Sequence, residues 1–265
     1  MQRTLVWLGL LPTLSHAMRN ILFALPLLLG SACALADTLS IAAASDLLHC
    51  LPRLNQRFAS QNPGTVIKFT AGASGTFFAQ IKAGAPFDLF LSADTDYPQK
   101  LVDAGLASEL TPYAKGRIAL WTTRAELDPA QGFKLLDDSR LQKLAIANPA
   151  VAPYGRAAKA ALEGAGVLPR LGGKLVQGEN IAQTAQYVQS GNADAGIVSY
   201  SLLKAADSRP GGRYWLIPAE LHPPIRQAGI VVAASNHKAI ASRYLQALTG
   251  EQGKQLLISC GFDLP

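Results

Sequence analysis

An α/β architecture of two lobes, each a mainly parallel sheet flanked by helices, is what the sequence predicts, on three observations. First, short runs rich in β-branched and aromatic residues alternate with stretches of helical apolar spacing along most of the 265 residues. Such alternation argues for parallel strands joined by helical crossovers. Second, the chain is 49% hydrophobic and only 16% charged, enough to bury one large domain or two smaller lobes. Third, a strand running into a serine and then a helix occurs twice near the start. The two units are Leu39–Ala44 with Ser45, and Val66–Phe69 with Gly72-Ala73-Ser74-Gly75-Thr76.

The first 36 residues read as a targeting segment. Met18-Arg19-Asn20 is a short basic region, Ile21 to Leu29 is apolar, and Ala34-Leu35-Ala36 is a small-residue cleavage signal before Asp37. This layout puts the biological start at Met18. A lipoprotein reading through Cys33 is weaker, because Gly30 stands where a branched apolar residue is expected. No later stretch is apolar enough to span a bilayer. Cleavage would leave two cysteines, Cys50 and Cys260, and both a disulfide and two separate buried thiols are open.

Taken in order, Leu39–Ala44 is predicted as a strand, and Leu47, Leu48, Leu51, Leu54 and Phe58 as one amphipathic helix with Pro52 in its first turns. Asn62-Pro63-Gly64 breaks it. The strand at Val66–Phe69 leads through small residues into a helix carrying Phe77, Phe78, Ile81 and Ala85, then a strand at Phe87–Leu91 and a short helix from Asp96 to Gly105. Ile118–Thr123 is a strand after a Lys115-Gly116-Arg117 turn, where the chain is expected to cross lobes. Leu135–Leu141 is a short helical piece and Leu144–Ala147 a strand. The loop Asn148–Gly155 contains Pro149 and Pro153, and a helix follows through Ala157, Ala158, Ala161 and Leu162. Lys174–Gln177, Ile181–Ser190 and Ala195–Tyr200 continue as strand, helix and strand. Ile225–Ala234 is a strand after a return crossing near Pro224, and helices from Ala239 to Leu248 and from Glu251 to Ser259 close the chain. The lobes are therefore expected at 37–115 with 225–265, and at 116–224.

Several chemistries fit poorly. Gly72-Ala73-Ser74-Gly75-Thr76 lacks the second glycine of a nucleophile elbow, and the histidines lie in no recognisable motif. Three histidines and two cysteines after residue 36 are dispersed without metal-ligand spacing. Asp88, Asp94 and Asp96 read as helix caps and a solvated turn. There is no phosphate loop with Lys and Ser/Thr. The net charge of +6 is scattered, with no basic run to mark a nucleic-acid surface. What remains is helix starts. Their unpaired N–H groups and positive dipole end favour an anion, and two such starts at Ser45 and Ser74 would point at one place. Pro153-Tyr154-Gly155 and Glu179-Asn180-Ile181 repeat the geometry in the other lobe.

The blocks Ala42-Ala-Ala-Ser-Asp46, Gly72–Thr76, Ile81–Pro86, Asp88–Asp94, Asn148-Pro149, Ala152–Gly155 and Gly196–Val198 together resemble the periplasmic molybdate-binding proteins of bacterial ABC importers, over essentially all of Asp37 to Pro265. The resemblance implies a type II periplasmic-binding-protein fold that is not an enzyme, with molybdate or tungstate held in an interlobe cleft. It implies a periplasmic location after signal-peptide cleavage, the oxyanion and a membrane permease as partners, no nucleic acid, no cofactor, and a monomer. The ligand-binding residues it implies are Ser45 and Ser74, through hydroxyl and N–H, Asp46 and Ile181, through N–H, and Tyr154, through its hydroxyl. One family branch uses a tyrosine later in the chain, where Ser199 stands here with Tyr200 following, so Tyr200 is not expected to contribute. The Asp46 carboxylate is expected to turn outward to solvent or cap its helix. The runner-up ligand is another tetrahedral oxyanion, such as sulfate or a phosphate whose proton would meet Asp46. The rival classes are a serine hydrolase and the sensing domain of a regulator.

Overall fold

A computed structural model describes residues 37–204 and 211–265. The targeting segment expected at 1–36 lies outside them. The elements run β1 (Asp37–Ala44), α1 (Leu51–Gln61), β2 (Thr65–Gly72), α2 (Ser74–Lys82), β3 (Leu89–Ser92), α3 (Asp96–Asp103), β4 (Thr111–Gly116), β5 (Ile118–Thr122) and β6 (Leu144–Ala147). They continue α4 (Pro153–Gly164), α5 (Leu168–Leu171), β7 (Leu175–Gly178), α6 (Ile181–Gln189), β8 (Ala195–Ser199), α7 (Tyr200–Lys204), β9 (Arg213–Leu216), β10 (Ile225–Val231), α8 (Lys238–Thr249) and α9 (Glu251–Ser259).

Two five-stranded sheets result, ordered β2-β1-β3-β10-β4 and β7-β6-β8-β5-β9. In the first, β1 runs parallel to β2 and β3, while β10 opposes both β3 and β4. In the second, β6 runs parallel to β7 and β8, while β5 opposes β8 and β9. Each sheet therefore has a single strand against the common direction, and the two-lobed α/β fold is the one expected. The chain passes from the first sheet to the second between β4 and β5, and returns between β9 and β10.

Both faces of each sheet are covered, which explains the near-continuous apolar strands. Leu39, Ile41, Leu89 and Leu91 pack on one face of the first sheet with Leu54 and Phe58 of α1 and Tyr244 and Leu248 of α8. Ala42, Phe90 and Ile230 face the other way, onto Phe77 and Ile81 of α2 and Leu101 of α3. In the second sheet Leu120, Leu144 and Ile146 meet Ala158, Ala161 and Leu162 of α4, and Trp121 and Val198 meet Val188 of α6.

Some local expectations are corrected. The helix expected from Leu47 is a 3-10 turn at Ser45–Leu47 followed by α1 from Leu51, with Pro52 at its first positions where no N–H is required. The piece at Leu135–Leu141 is a 3-10 stretch over Pro129–Asp137, interrupted at Gly132. Two strands had not been expected, β4 and β9. Both are sheet edges, and β4 carries Pro112, which an edge tolerates because one side of the strand needs no ladder bond. Cys50 and Cys260 form a disulfide that ties the start of α1 to the end of α9 across 210 residues of chain.

Candidate functional site

At the ends of the strands, where β1, β2 and β6 give way to turns and helices, lies a small cavity of about 10 Å³. Its wall holds Ala44, Ser45 and Asp46, Gly72, Ala73 and Ser74, Ala93, Ala152, Pro153 and Tyr154, and Ile181. All five residues singled out in the sequence are thus brought together. The volume is well below the roughly 300–1,000 Å³ of pockets that take organic ligands. It leaves no room for an organic ligand.

Three helices begin at this wall: α2 at Ser74, α4 at Pro153 and α6 at Ile181. The 3-10 turn at Ser45 joins them. Helix starts carry N–H groups without intrahelical partners and a positive dipole end. Asn180 caps α6 by accepting from the N–H groups of Ala182 and Gln183, and Ile181, the first residue of the helix, lines the cavity. Neither α2 nor α4 has a side-chain cap. Ser74 Oγ accepts from the Ala93 N–H at 3.0 Å, which leaves its own O–H to give. Ser45 Oγ donates to Asn180 Oδ1 at 3.2 Å and accepts from the Ala182 N–H at 3.3 Å, so it joins the two lobes and would have to leave Asn180 to give its proton to a ligand. No Lys, Arg or His lines the wall.

Asp46 departs from expectation. Its side chain turns inward and is 1% exposed. Oδ2 accepts from the Tyr154 hydroxyl at 2.9 Å and from Gln227 Nε2 at 2.6 Å, and Gln227 Nε2 also donates to Tyr154 Oη at 3.1 Å. The outward geometry is corrected for a physical reason: these two donors, fixed on α4 and β10, offer the carboxylate in the interior the bonds that water would otherwise supply. Burial raises the carboxyl to about 6, and the bonds from Gln227 and Tyr154, with the backbone N–H groups of Asp46 and Leu47, oppose that rise. Burial and then the Asp46 charge push the Tyr154 hydroxyl well above its usual range. The Tyr154 hydroxyl therefore serves Asp46 in this structure, although its ring lines the cavity.

Gln227, Ser201 and Gly116 complete the cluster, and sequence reasoning missed all three. Ser201 Oγ donates to the Asp46 carbonyl at 2.8 Å. A Cβ at Gly116 would stand 2.1 Å from Tyr154 Oη, so only glycine allows β4 to approach the hydroxyl. β10 carries Arg226 beside Gln227, so little in the sequence marks Gln227 as the buried one of the pair. Tyr200, not expected to contribute, lies against Tyr214, with ring centroids 5.5 Å apart, and under Arg117.

A second set of contacts closes the mouth. The Gly75 N–H, from α2, donates to the Val151 carbonyl at 2.8 Å. Tyr97 Oη donates to the Ala150 carbonyl at 3.3 Å. Arg156 of α4 pairs with Asp94 at 2.5 Å and stacks its guanidinium 5.3 Å from the Tyr97 ring centroid. Asp94 also accepts from the Tyr97 N–H at the start of α3, a capping role of the kind expected for it. Asp88 instead holds the Ser40 N–H and the Ser235 hydroxyl.

Two lobes that close over a small polar cavity at their helix starts define a solute-binding protein. A family model of bacterial extracellular solute-binding proteins matches residues 39–263, and the chain belongs to that family. It is 35% identical over 206 residues to the molybdate-binding protein ModA of Rhodobacter capsulatus, covering 77% of this chain and 79% of that protein. It is 31% identical over 253 residues to the ModA of Azotobacter vinelandii, covering 95% of this chain and 100% of that one. The solved periplasmic molybdate-binding protein of Azotobacter vinelandii superposes with a TM-score of 0.81 at 32% identity, over 86% of this chain and 99% of that one. The sulfate-binding protein SubI of Mycobacterium tuberculosis, at 15% identity and a TM-score of 0.67, shares the fold.

Proposed function

We propose that this chain captures molybdate, and tungstate with it, in the cavity between its lobes and delivers the anion to the membrane permease of an ABC importer. The observation that carries the reading is a cavity too small for an organic ligand, walled by three helix starts and two serines, with no basic side chain among its described lining residues. Neutral donors and helix termini stabilise a dianion when it is excluded from water, and because they are fixed they select its size and shape. The relatives described above as molybdate-binding support the same ligand. In this reading Ser45 and Ser74 donate through hydroxyl and N–H, Asp46 and Ile181 through N–H, and Tyr154 through its hydroxyl once Asp46 releases it. The protein works outside the cytoplasmic membrane, as a monomer, without a cofactor and without catalysing a reaction.

Donors spaced for a large tetrahedral oxyanion hold sulfate loosely, at a cost of about 1–3 kcal/mol for each buried donor left underused. One feature favours a second ligand. The buried Asp46 carboxylate is an acceptor that suits an anion carrying its own proton, as hydrogen phosphate does. Calorimetric titration with molybdate, tungstate, sulfate and phosphate tests both: tight binding of the first two alone is expected, and phosphate outcompeting molybdate overturns the assignment.

A further inference from the structure

We propose that anion capture is coupled to a proton, which Asp46 takes up as the dianion enters and which frees the Tyr154 hydroxyl to turn to the ligand. The inference rests on the reading of the cavity as an anion site, and deepens it by assigning Asp46 as a positioning residue that acts through Tyr154.

Asp46 and Tyr154 of the cavity wall form one buried cluster with Gln227, at 1%, 2% and 0% exposure. Its side chains offer one hydroxyl proton and the two amide protons of Gln227. Both the hydroxyl and Nε2 converge on the same carboxylate oxygen, Oδ2. Two other acceptors, Asp46 Oδ1 and Gln227 Oε1, are buried with no partner among the described residues. Beyond the N–H groups of the Asp46 turn, the cluster's side chains hold no donor for these two oxygens. A single proton on the carboxyl supplies one, and a neutral carboxyl no longer requires the tyrosine proton.

Charge points the same way. No basic side chain offsets the Asp46 carboxylate, since the groups acting on it are Gln227, Tyr154 and the N–H groups of its own turn. Tyr113, on β4, senses the Asp46 charge and donates to the Ser92 carbonyl. Ser201, on α7, bonds the Asp46 carbonyl and Ser199 Oγ rather than the carboxylate. Arg156 is paired with Asp94. A dianion placed at this wall meets an uncompensated carboxylate in a medium of low dielectric, where repulsion is strong. Molybdate at neutral pH carries no proton to relieve it, so the proton comes from solvent. Burial already holds the carboxyl at about 6, and the dianion raises it further.

Titration calorimetry of the full chain with molybdate, repeated in buffers of different ionisation enthalpy, reads proton uptake directly. About one proton per anion is expected at pH 7 to 8, with affinity falling up to about tenfold per pH unit above the Asp46 value. Asp46→Asn should bind without proton uptake and with a flat pH profile, and should exceed the wild type in affinity at about pH 8. Wild-type binding with no proton uptake and no pH slope overturns the coupling while leaving the anion site standing. Failure of the wild type to bind molybdate, tungstate, sulfate or phosphate overturns both. Because the wild-type measurement decides by itself, the test survives a variant that folds poorly.

Discussion

Replacing Gly75 with alanine should separate closure of the cleft from stability of the fold. Gly75 is the second residue of α2, and a Cβ built there would lie 2.5 Å from Tyr97 Oη and 2.9 Å from Val151 Cα. Tyr97 is on the same side as α2 and its hydroxyl can move aside. Val151 Cα is backbone of the opposing loop and can retreat only if the mouth widens. Widening it by the several tenths of an ångström that contact needs also breaks the Gly75–Val151 hydrogen bond, worth about 0.5–1.5 kcal/mol. Overpacking at such a contact costs about 1–3 kcal/mol. Together these place the loss for the closed form at about 2–4 kcal/mol, or a fall in affinity of about 30-fold or more. Within α2 alone the change is favourable, because alanine is a better helix former than glycine by up to about 1 kcal/mol. The expected result is a protein that melts no lower than wild type without ligand, binds molybdate weakly, and contracts less on binding in small-angle scattering. Wild-type affinity together with wild-type contraction would refute the view that this contact closes the cleft.

Tyr154→Phe removes the hydroxyl that Asp46 holds and that the proposed site gives to the anion, and should weaken molybdate binding by about 1–3 kcal/mol by calorimetry; unchanged affinity would show that the hydroxyl does not reach the ligand. Arg156→Ala breaks the pair with Asp94 and the stacking on Tyr97, both at the mouth and outside the cavity wall. It should speed molybdate release several-fold in stopped-flow, with a smaller effect at high salt because the pair is partly exposed. Cys50→Ser should lower stability toward denaturant by about 2–5 kcal/mol, since the disulfide closes so long a loop, while molybdate affinity stays at the wild-type level.

The framework was legible because the strands are buried on both faces and so stand out as apolar runs, as Leu89–Ser92 and Ala195–Ser199 do. The helix starts at Ser74 and Ile181 were legible from the turns before them, where small residues and an Asn-type cap end a strand. The edge strands β4 and β9 were not. Thr111–Gly116 holds a proline and a lysine, and its strand character comes from the partner β10 rather than from its own residues. The disulfide was left open because pairing depends on the approach of α9 to α1, a contact between the two ends of the chain. The five site residues came from resemblance and position at turns, which locate a residue but not the direction of its side chain. Asp46 shows the difference: the turn is where it was expected, and the carboxylate points the other way.

That orientation is the feature of the cavity that stability alone does not explain. A carboxyl held at about 6 in the folded chain, against 3.8 as its ordinary value, binds its proton more tightly folded than unfolded. The sign follows: folding gains as pH falls from about 6 toward 4, and at pH 7 the ionised group costs on the order of 3 kcal/mol. An asparagine of the same shape would avoid that cost and would put an amide donor where the unpartnered Oδ1 stands. A charge kept where a neutral residue would fold better is accounted for if its titration does something. Beside an anion cavity that holds no basic side chain, the titration sets the local charge that the ligand meets. Ligand affinity measured against pH, rather than stability, is where its effect should be read.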